Sequence, residues 1–179
     1  MSNVKIGILS DTHRRVDLQK EAIKKLKKES AQYLLHLGDI RLEENLKQLE
    51  ESNLPYRVVY GNHDRALKDL ENRYFIRNEP YYLKIKDITI KMMHLPYYLS
   101  PDCDIVLFGH LHKFSVEFKG KTLFLNPGEI CARNKNLSEC ALIEVSKDKY
   151  IVNYYYREPE VKEWEVKEFE FMYWQSVSN

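Results

Sequence analysis

Little in this sequence is lopsided. Its 28 lysines and arginines stand against 27 aspartates and glutamates, a formal net charge of +1. That balance carries no electrostatic footprint for general nucleic-acid or anionic-membrane binding. The three cysteines, Cys103, Cys131 and Cys140, form no CxxC pair. An odd number without a secretory context reads as reduced, buried thiols and argues against a thiolate metal site. Nowhere do eighteen apolar residues run together, and the N-terminus enters a short strand rather than a signal segment, so the expected compartment is the cytoplasm. Linkers, internal repeats and low-complexity segments are missing as well. A length of 179 residues with 44% hydrophobic content suits one domain spanning 1–179, with one sizeable core and one active site.

What is present is a sequence of short apolar runs. Residues 4–9 form the first, and 17–29 then carry Leu18, Ala22 and Leu26 at a spacing of four, the mark of a helix with a lysine-rich outer face. The run 33–37, a polar helix around 43–51 and the run 57–60 repeat the pattern. Two βα units followed by a third strand predict a sheet that starts out parallel. From Tyr81 onward the texture becomes hairpins: 82–86 with 89–93, 115–118 with 122–125, and 141–145 with 150–156. The run 105–108 interrupts them. The expected fold is α/β, a two-sheet sandwich of mixed strands flanked by helices.

Five of these runs are followed at once by residues able to hold a metal. Asp11 and His13 follow the first, Asp39 the second, Asn62, His63 and Asp64 the third, His94 the run 89–93, and His110 and His112 the run 105–108. Loops beyond the carboxyl ends of strands form the binding crevice of mostly parallel sheets, so residues spread over about a hundred positions can converge there. Alternation along an extended segment would aim both members of Asp11-x-His13, and of His110-x-His112, toward one point. Glycines before Asp39, Asn62 and His110 permit close backbone approach. Carboxylate and amide oxygens with imidazole nitrogens suit manganese, iron, zinc or nickel. Two such ions roughly 3.5–4 Å apart can share a water, lower its pKa, and neutralise the attacking and leaving oxygens of an in-line displacement at phosphorus.

Taken together, Asp11-Thr12-His13, Gly38-Asp39, Gly61-Asn62-His63-Asp64, His94, Gly109-His110-Leu111-His112 and Asn126-Pro127-Gly128-Glu129 resemble the calcineurin-like metallophosphoesterases. Within that family the likeness is to the small single-domain bacterial and archaeal phosphodiesterases. The resemblance implies a four-layer fold and two divalent ions, manganese first and nickel, iron, zinc or magnesium as alternatives. It implies that Asp11, His13 and His112 hold one ion, that Asn62, His94 and His110 hold the other, and that Asp39 bridges both. His63 would protonate the leaving oxygen or stabilise the phosphoryl oxygens, with Asp64 orienting its ring. Only fifteen residues separate His94 from His110, Pro96 and Pro101 among them. Relatives often place a covering helix here, so the mouth of this site is expected to be open.

The implied activity is hydrolysis of small phosphodiesters or cyclic nucleotides, with a phosphomonoesterase or pyrophosphohydrolase as the alternative. A non-catalytic scaffold on the same fold, such as the retromer subunit that resembles this family, is the rival from another class, and the presence of His63 speaks against it. Nucleases of the family append capping domains, which this length does not accommodate. Several residues have plainer readings. His36 lies inside its run and reads as a core or supporting histidine, Asp64 could cap a turn, Asn126-Pro127-Gly128 reads as a tight supporting loop, and Cys131 as a buried thiol without a base partner. Arginines follow nearly every site loop: Arg14, Arg41, Arg65 and Arg133. They are either solvated surface groups or a rim for an anionic substrate, with Arg14 and Arg65 as the expected contacts. The aromatic and charged segment at about 157–175 alternates as one or two half-buried strands, which either finish the protein's own sheet or form the contact of a homo-oligomer.

Overall fold

In the computed structural model, which describes residues 3–172, the chain folds as two mixed sheets. The first sheet grows from β1 (Val4–Leu9), a six-residue run buried on both faces and therefore suited to the centre of a sheet. On one side it pairs in parallel with β2 (Tyr33–His36), then β3 (Tyr56–Val59) and the two-residue β4 (Ile76–Arg77). On the other side it pairs antiparallel with β10 (Ser138–Val145), which is followed outward by β11 (Lys149–Arg157) and β12 (Glu165–Met172). The second sheet runs β5 (Tyr81–Ile85), β6 (Ile88–Met93), β7 (Ile105–Phe108), β9 (Thr122–Pro127) and β8 (Phe114–Lys119). Its middle strands β6, β7 and β9 are parallel, and the outer pairs are antiparallel.

Alternation along the strands divides the apolar residues between two layers. Ile6 and Ile8 face the second sheet and meet Ile90, Met92, Leu107 and Leu125, while Leu9, Leu34 and Val58 face the helices. Helix α1 (Val16–Lys28) lays Leu18, Ala22 and Leu26 on that outer face, and α2 (Glu43–Glu51) adds Leu46 and Leu49. Both α-helices thus cover the seven-stranded sheet. Met93, Val106 and Phe108 form a smaller cluster on the far side of the second sheet, and residues 95–104 contain no helix. No helix among the described residues is long and apolar enough to cross a membrane.

Among the described residues of the C-terminal segment one strand, β12, adds to the chain's own sheet, with Phe169 and Phe171 packed toward Phe114 and Phe118 at centroid distances of 5.5 and 6.0 Å. Tyr173 and Trp174 lie outside the described residues. For the site, one consequence of the topology matters most. β1, β2 and β3 run parallel in one sheet, as do β6, β7 and β9 in the other, and the candidate ligands lie in the loops that follow their carboxyl ends.

Candidate metal centre

The loops are stitched together before any side chain is considered. The Asp11 amide donates to the Gly38 carbonyl at 3.1 Å and the His13 amide to the Asp39 carbonyl at 2.7 Å. The His110 amide reaches Asp11 Oδ2 at 3.1 Å, tying the second sheet to the first. Such approach demands glycine at two places. A Cβ on Gly61 would lie 2.1 Å from the Asp39 amide nitrogen, and one on Gly109 would lie 2.2 Å from Ser10 Oγ.

Asp11, His13, Asp39, His110 and His112 all have positive φ, between 51° and 66°. This corrects the expectation from alternation, since neither Asp11-x-His13 nor His110-x-His112 is an extended segment. Each pair is aimed by two left-handed residues, a conformation that side-chain-bearing residues adopt at a cost and that concentrates at functional sites.

Asp39 is the hub. Its Oδ1 accepts the His63 amide at 2.9 Å, and its Oδ2 lies 2.8 Å from His63 Nδ1, 3.6 Å from His94 Nε2 and 3.7 Å from His13 Nε2. Burial opposes its charge, but His94 and His63 outweigh that and hold its carboxyl below the usual value. Around it the donors face one another without protons to share. His94 Nδ1 donates to the Leu37 carbonyl at 2.8 Å, so its Nε2 presents a lone pair, and 2.9 Å away stands Asn62 Oδ1. Asp11 Oδ1 and both ring nitrogens of His13 are buried with no hydrogen-bond partner. Buried polar groups are otherwise almost always paired. A cation would resolve each of these contacts, and the residues therefore fit a metal. Three overlapping donor groups lie within 4.8 Å: Asp11–Asp39–His94, His13–Asp39–His63 and His13–His112–Cys131.

His112 is braced from behind. Its Nδ1 hydrogen-bonds Glu129, whose other oxygen accepts the Asn134 amide at 2.6 Å, while Cys131 Sγ adds a 3.3 Å contact. Burial by itself would raise the Glu129 carboxyl, yet these contacts hold it at about 2. The same pair, with Asp11 Oδ1 3.3 Å from His112 Nε2, keeps the imidazole above its ordinary value against its own burial. Burial lowers His13 to about 4 and raises Asp11. It pushes the Cys131 thiol up to about 12, so that thiol stays protonated, in line with its reading as inert.

The remaining expected residues divide. His110 meets His94 edge to face, with ring centroids 5.1 Å apart, and Asn62 and His63 are exposed at the mouth. Asp64 does not orient the His63 ring. Its oxygens accept the Arg41 amide at 2.7 Å and the Gly61 amide at 2.8 Å, which closes the turn. Asn126 supports the site from the end of β9 rather than from the loop expected there, its amide donating to the Gly109 carbonyl at 2.9 Å. Arg14, Arg41 and Arg133 line one cavity beside His13, joined by Arg15, whereas Arg65 is exposed at the start of a short 3-10 helix and is not part of that lining.

Two supports of the site carry no role that the sequence assigns, and a third is legible without its partners. Glu129 stands at the end of the Asn126-Pro127-Gly128-Glu129 motif with no pattern that gives it a function. Glu79, which accepts the His94 and Leu95 amides at 2.5 and 2.9 Å, had no pattern to mark it. His36 is expected as a core or supporting histidine, but its partners are not legible in the sequence. Its Nδ1 accepts the Gly38 amide, so its Nε2 donates to Thr12 Oγ1 at 2.8 Å, and Thr12 in turn donates to Gln19.

Oxygen and imidazole donors converging at the carboxyl ends of parallel strands define a metal-dependent hydrolase site. The chain belongs to the calcineurin-like phosphoesterase superfamily, whose domain profile matches residues 4–148. A phosphodiesterase of Methanocaldococcus jannaschii is 26% identical over 161 residues, covering 82% of this chain and 96% of that protein. Among solved structures, one described as a novel archaeal phosphodiesterase aligns with a TM-score of 0.69 at 25% identity, covering 93% of this chain and all of its own. Vacuolar protein sorting 29 from Cryptosporidium parvum aligns with a TM-score of 0.73 at 21% identity, over 96% of this chain and 99% of its own, a likeness of fold.

Proposed function

We propose that the chain hydrolyses small phosphodiesters with the help of two divalent ions, manganese first among them. The observation that carries this reading is the placement of Asp39 Oδ2 within 3.7 Å of His13, His63 and His94, which come from three different loops. Asp11, His13 and His112 would hold one ion, Asn62, His94 and His110 the other, and Asp39 both. When bound, such a pair activates water and neutralises charge on the oxygens around phosphorus. The chain's own groups do the rest. Glu129 and the Leu37 carbonyl fix the tautomers of His112 and His94, so that each presents Nε2 to the centre. His63, 45% exposed at the mouth, is within reach of a leaving oxygen and can protonate it. That exposed ring favours an enzyme over a scaffold, because a purely structural histidine gains nothing from facing solvent beside the metal ligands.

The likeness to an archaeal phosphodiesterase, in sequence and in solved structure, supports a diester as substrate. The test is metal-stripped protein reconstituted with manganese, nickel, zinc or magnesium and assayed on bis-p-nitrophenyl phosphate and p-nitrophenyl phosphate. Turnover of the diester above the monoester is expected. The reverse preference would make the chain a phosphomonoesterase, and no turnover with any metal would leave the scaffold.

A further inference from the structure

Beside the metal centre lies a cavity of about 380 Å³ whose wall holds four guanidinium groups, those of Arg14, Arg15, Arg41 and Arg133, together with His13 and Cys131. It is continuous with the site already described. His13 belongs to both, and Arg133 Nη2 stands 3.4 Å from His112 Nε2. Of the four cations only Arg15 has a carboxylate, paired to Asp17 at 2.9 and 2.7 Å. The Arg14 and Arg41 side chains have no hydrogen-bond or ion-pair partner among the described residues, and Arg133 has only His112.

The three arginines without a carboxylate, Arg14, Arg41 and Arg133, repel one another in one concavity, and a bound anion relieves that repulsion. The wall of this cavity is also held in a fixed shape. Arg41 and Ala132 in its wall have φ of 59° and 55°, left-handed conformations like those of the ligand residues next door. Strain of that kind is kept where it holds a particular surface in place.

We infer that this cavity is a subsite for a second phosphate group of the substrate, so that the chain prefers phosphodiesters bearing a further terminal phosphate over simple diesters. This rests on the phosphodiesterase reading and names the substrate class within it. Planar guanidinium forks match phosphate oxygens, and several of them reach one phosphate from different sides. The scissile diester occupies the metal centre while the second phosphate lies on the His13 and Arg133 side.

Two measurements test the subsite. With the manganese-loaded chain, KM for the 5′-phosphorylated dinucleotide pApA should lie roughly tenfold below that for ApA, the size of one charge-assisted contact. The double variant Arg14→Ala with Arg41→Ala should bring the two values together. Equal KM for the two dinucleotides in the wild type overturns the inference. The second measurement needs no turnover: calorimetric titration of the metal-stripped, full-length chain with inorganic pyrophosphate. Binding should weaken by roughly tenfold or more in the double variant, and unchanged binding overturns the inference. If no diester is hydrolysed at all, the proposed activity falls, while the pyrophosphate titration still decides whether the arginines form an anion site.

Discussion

The two halves of the centre are built differently. On the Asp11 side every candidate ligand is buried. Asp11 and His13 keep buried polar atoms without partners, and a carboxylate stands behind His112. On the other side His94 is buried, but Asn62 is exposed, His110 is half-buried, and the brace behind His94 is a backbone carbonyl rather than a charge. One half is a dry, charged cradle. The other is a neutral, partly wet one that relies on Asp39 for its negative charge. In low dielectric a second carboxylate counts for more than an amide. The cradle of Asp11, His13 and His112 should therefore fill first and hold its ion more tightly.

The largest break in this comparison is to remove what the halves share. Asp39→Asn takes a ligand charge from both, so both ions and nearly all turnover should be lost. Elemental analysis of the purified variant decides it, and wild-type metal content would end the shared-ligand assignment. A smaller effect is expected at the mouth of the open half, where the proposed mechanism has His63 act on substrate without being a ligand. His63→Ala should retain both ions and lower kcat by about 10²–10⁴-fold, the range of a general acid. Departure of the metals would make His63 a ligand, as its presence in a donor group with His13 and Asp39 permits.

Smaller again is the change expected from the support of the buried half. Glu129→Gln keeps a hydrogen-bonding shape behind His112 and deletes the charge. Affinity at the tighter site should fall by about 10–100-fold, the usual cost of losing such a partner. A chelator competition that resolves two steps should show the first step moving and the second holding. Equal movement of both would mean that the halves are not separable.

How much of this was legible depended on the range of the interactions. Helix α2 spans Glu43–Glu51 as its polar-apolar pattern predicts, and β1 and β7 coincide with their apolar runs, because period and burial are written locally. β4, only Ile76–Arg77, was missed because two residues carry no period. The candidate ligands were readable as residue types at strand ends, but their aim was not. Positive φ at Asp11, His13, His110 and His112 is imposed by contacts between loops, such as the His110 amide on Asp11, 99 residues apart. Asp64 shows the same limit. Adjacency to His63 suggested a partner, whereas the amides of Gly61 and Arg41, brought in by the fold, took both its oxygens. The arginines were visible as a pattern after each loop, but which of them meet depends on the path of α1 and of the turn at Ala132. That geometry admits Arg15 and leaves out Arg65.

The smallest effect concerns the polar network under the buried half, measured in the metal-stripped chain. His36 is fully buried and neutral between Gly38 and Thr12, with its pKa driven down to about 3 by burial, and His13 is lowered to about 4. Both groups have folded values below the unfolded value of about 6.5. Below that pH the unfolded chain takes up protons that the folded chain does not, so stability is full above about pH 6.5 and falls as acid is added, until the folded values are reached. Glu129, held at about 2, does not titrate in the upper part of this window. His112, shifted upward, contributes in the opposite sense above it, losing its stabilisation as pH rises. Between about pH 6.5 and 5.5 each of the two lowered histidines can cost at most about 1.4 kcal/mol, a factor of ten in the folding equilibrium. His36→Gln removes one of them while leaving Asp11, His13 and His112 in place, so urea midpoints over that interval should decline about half as steeply in the variant. An unchanged slope would mean that His36 accepts a proton without unfolding, and that the cradle under Asp11 and His13 is softer than its buried hydrogen bonds imply.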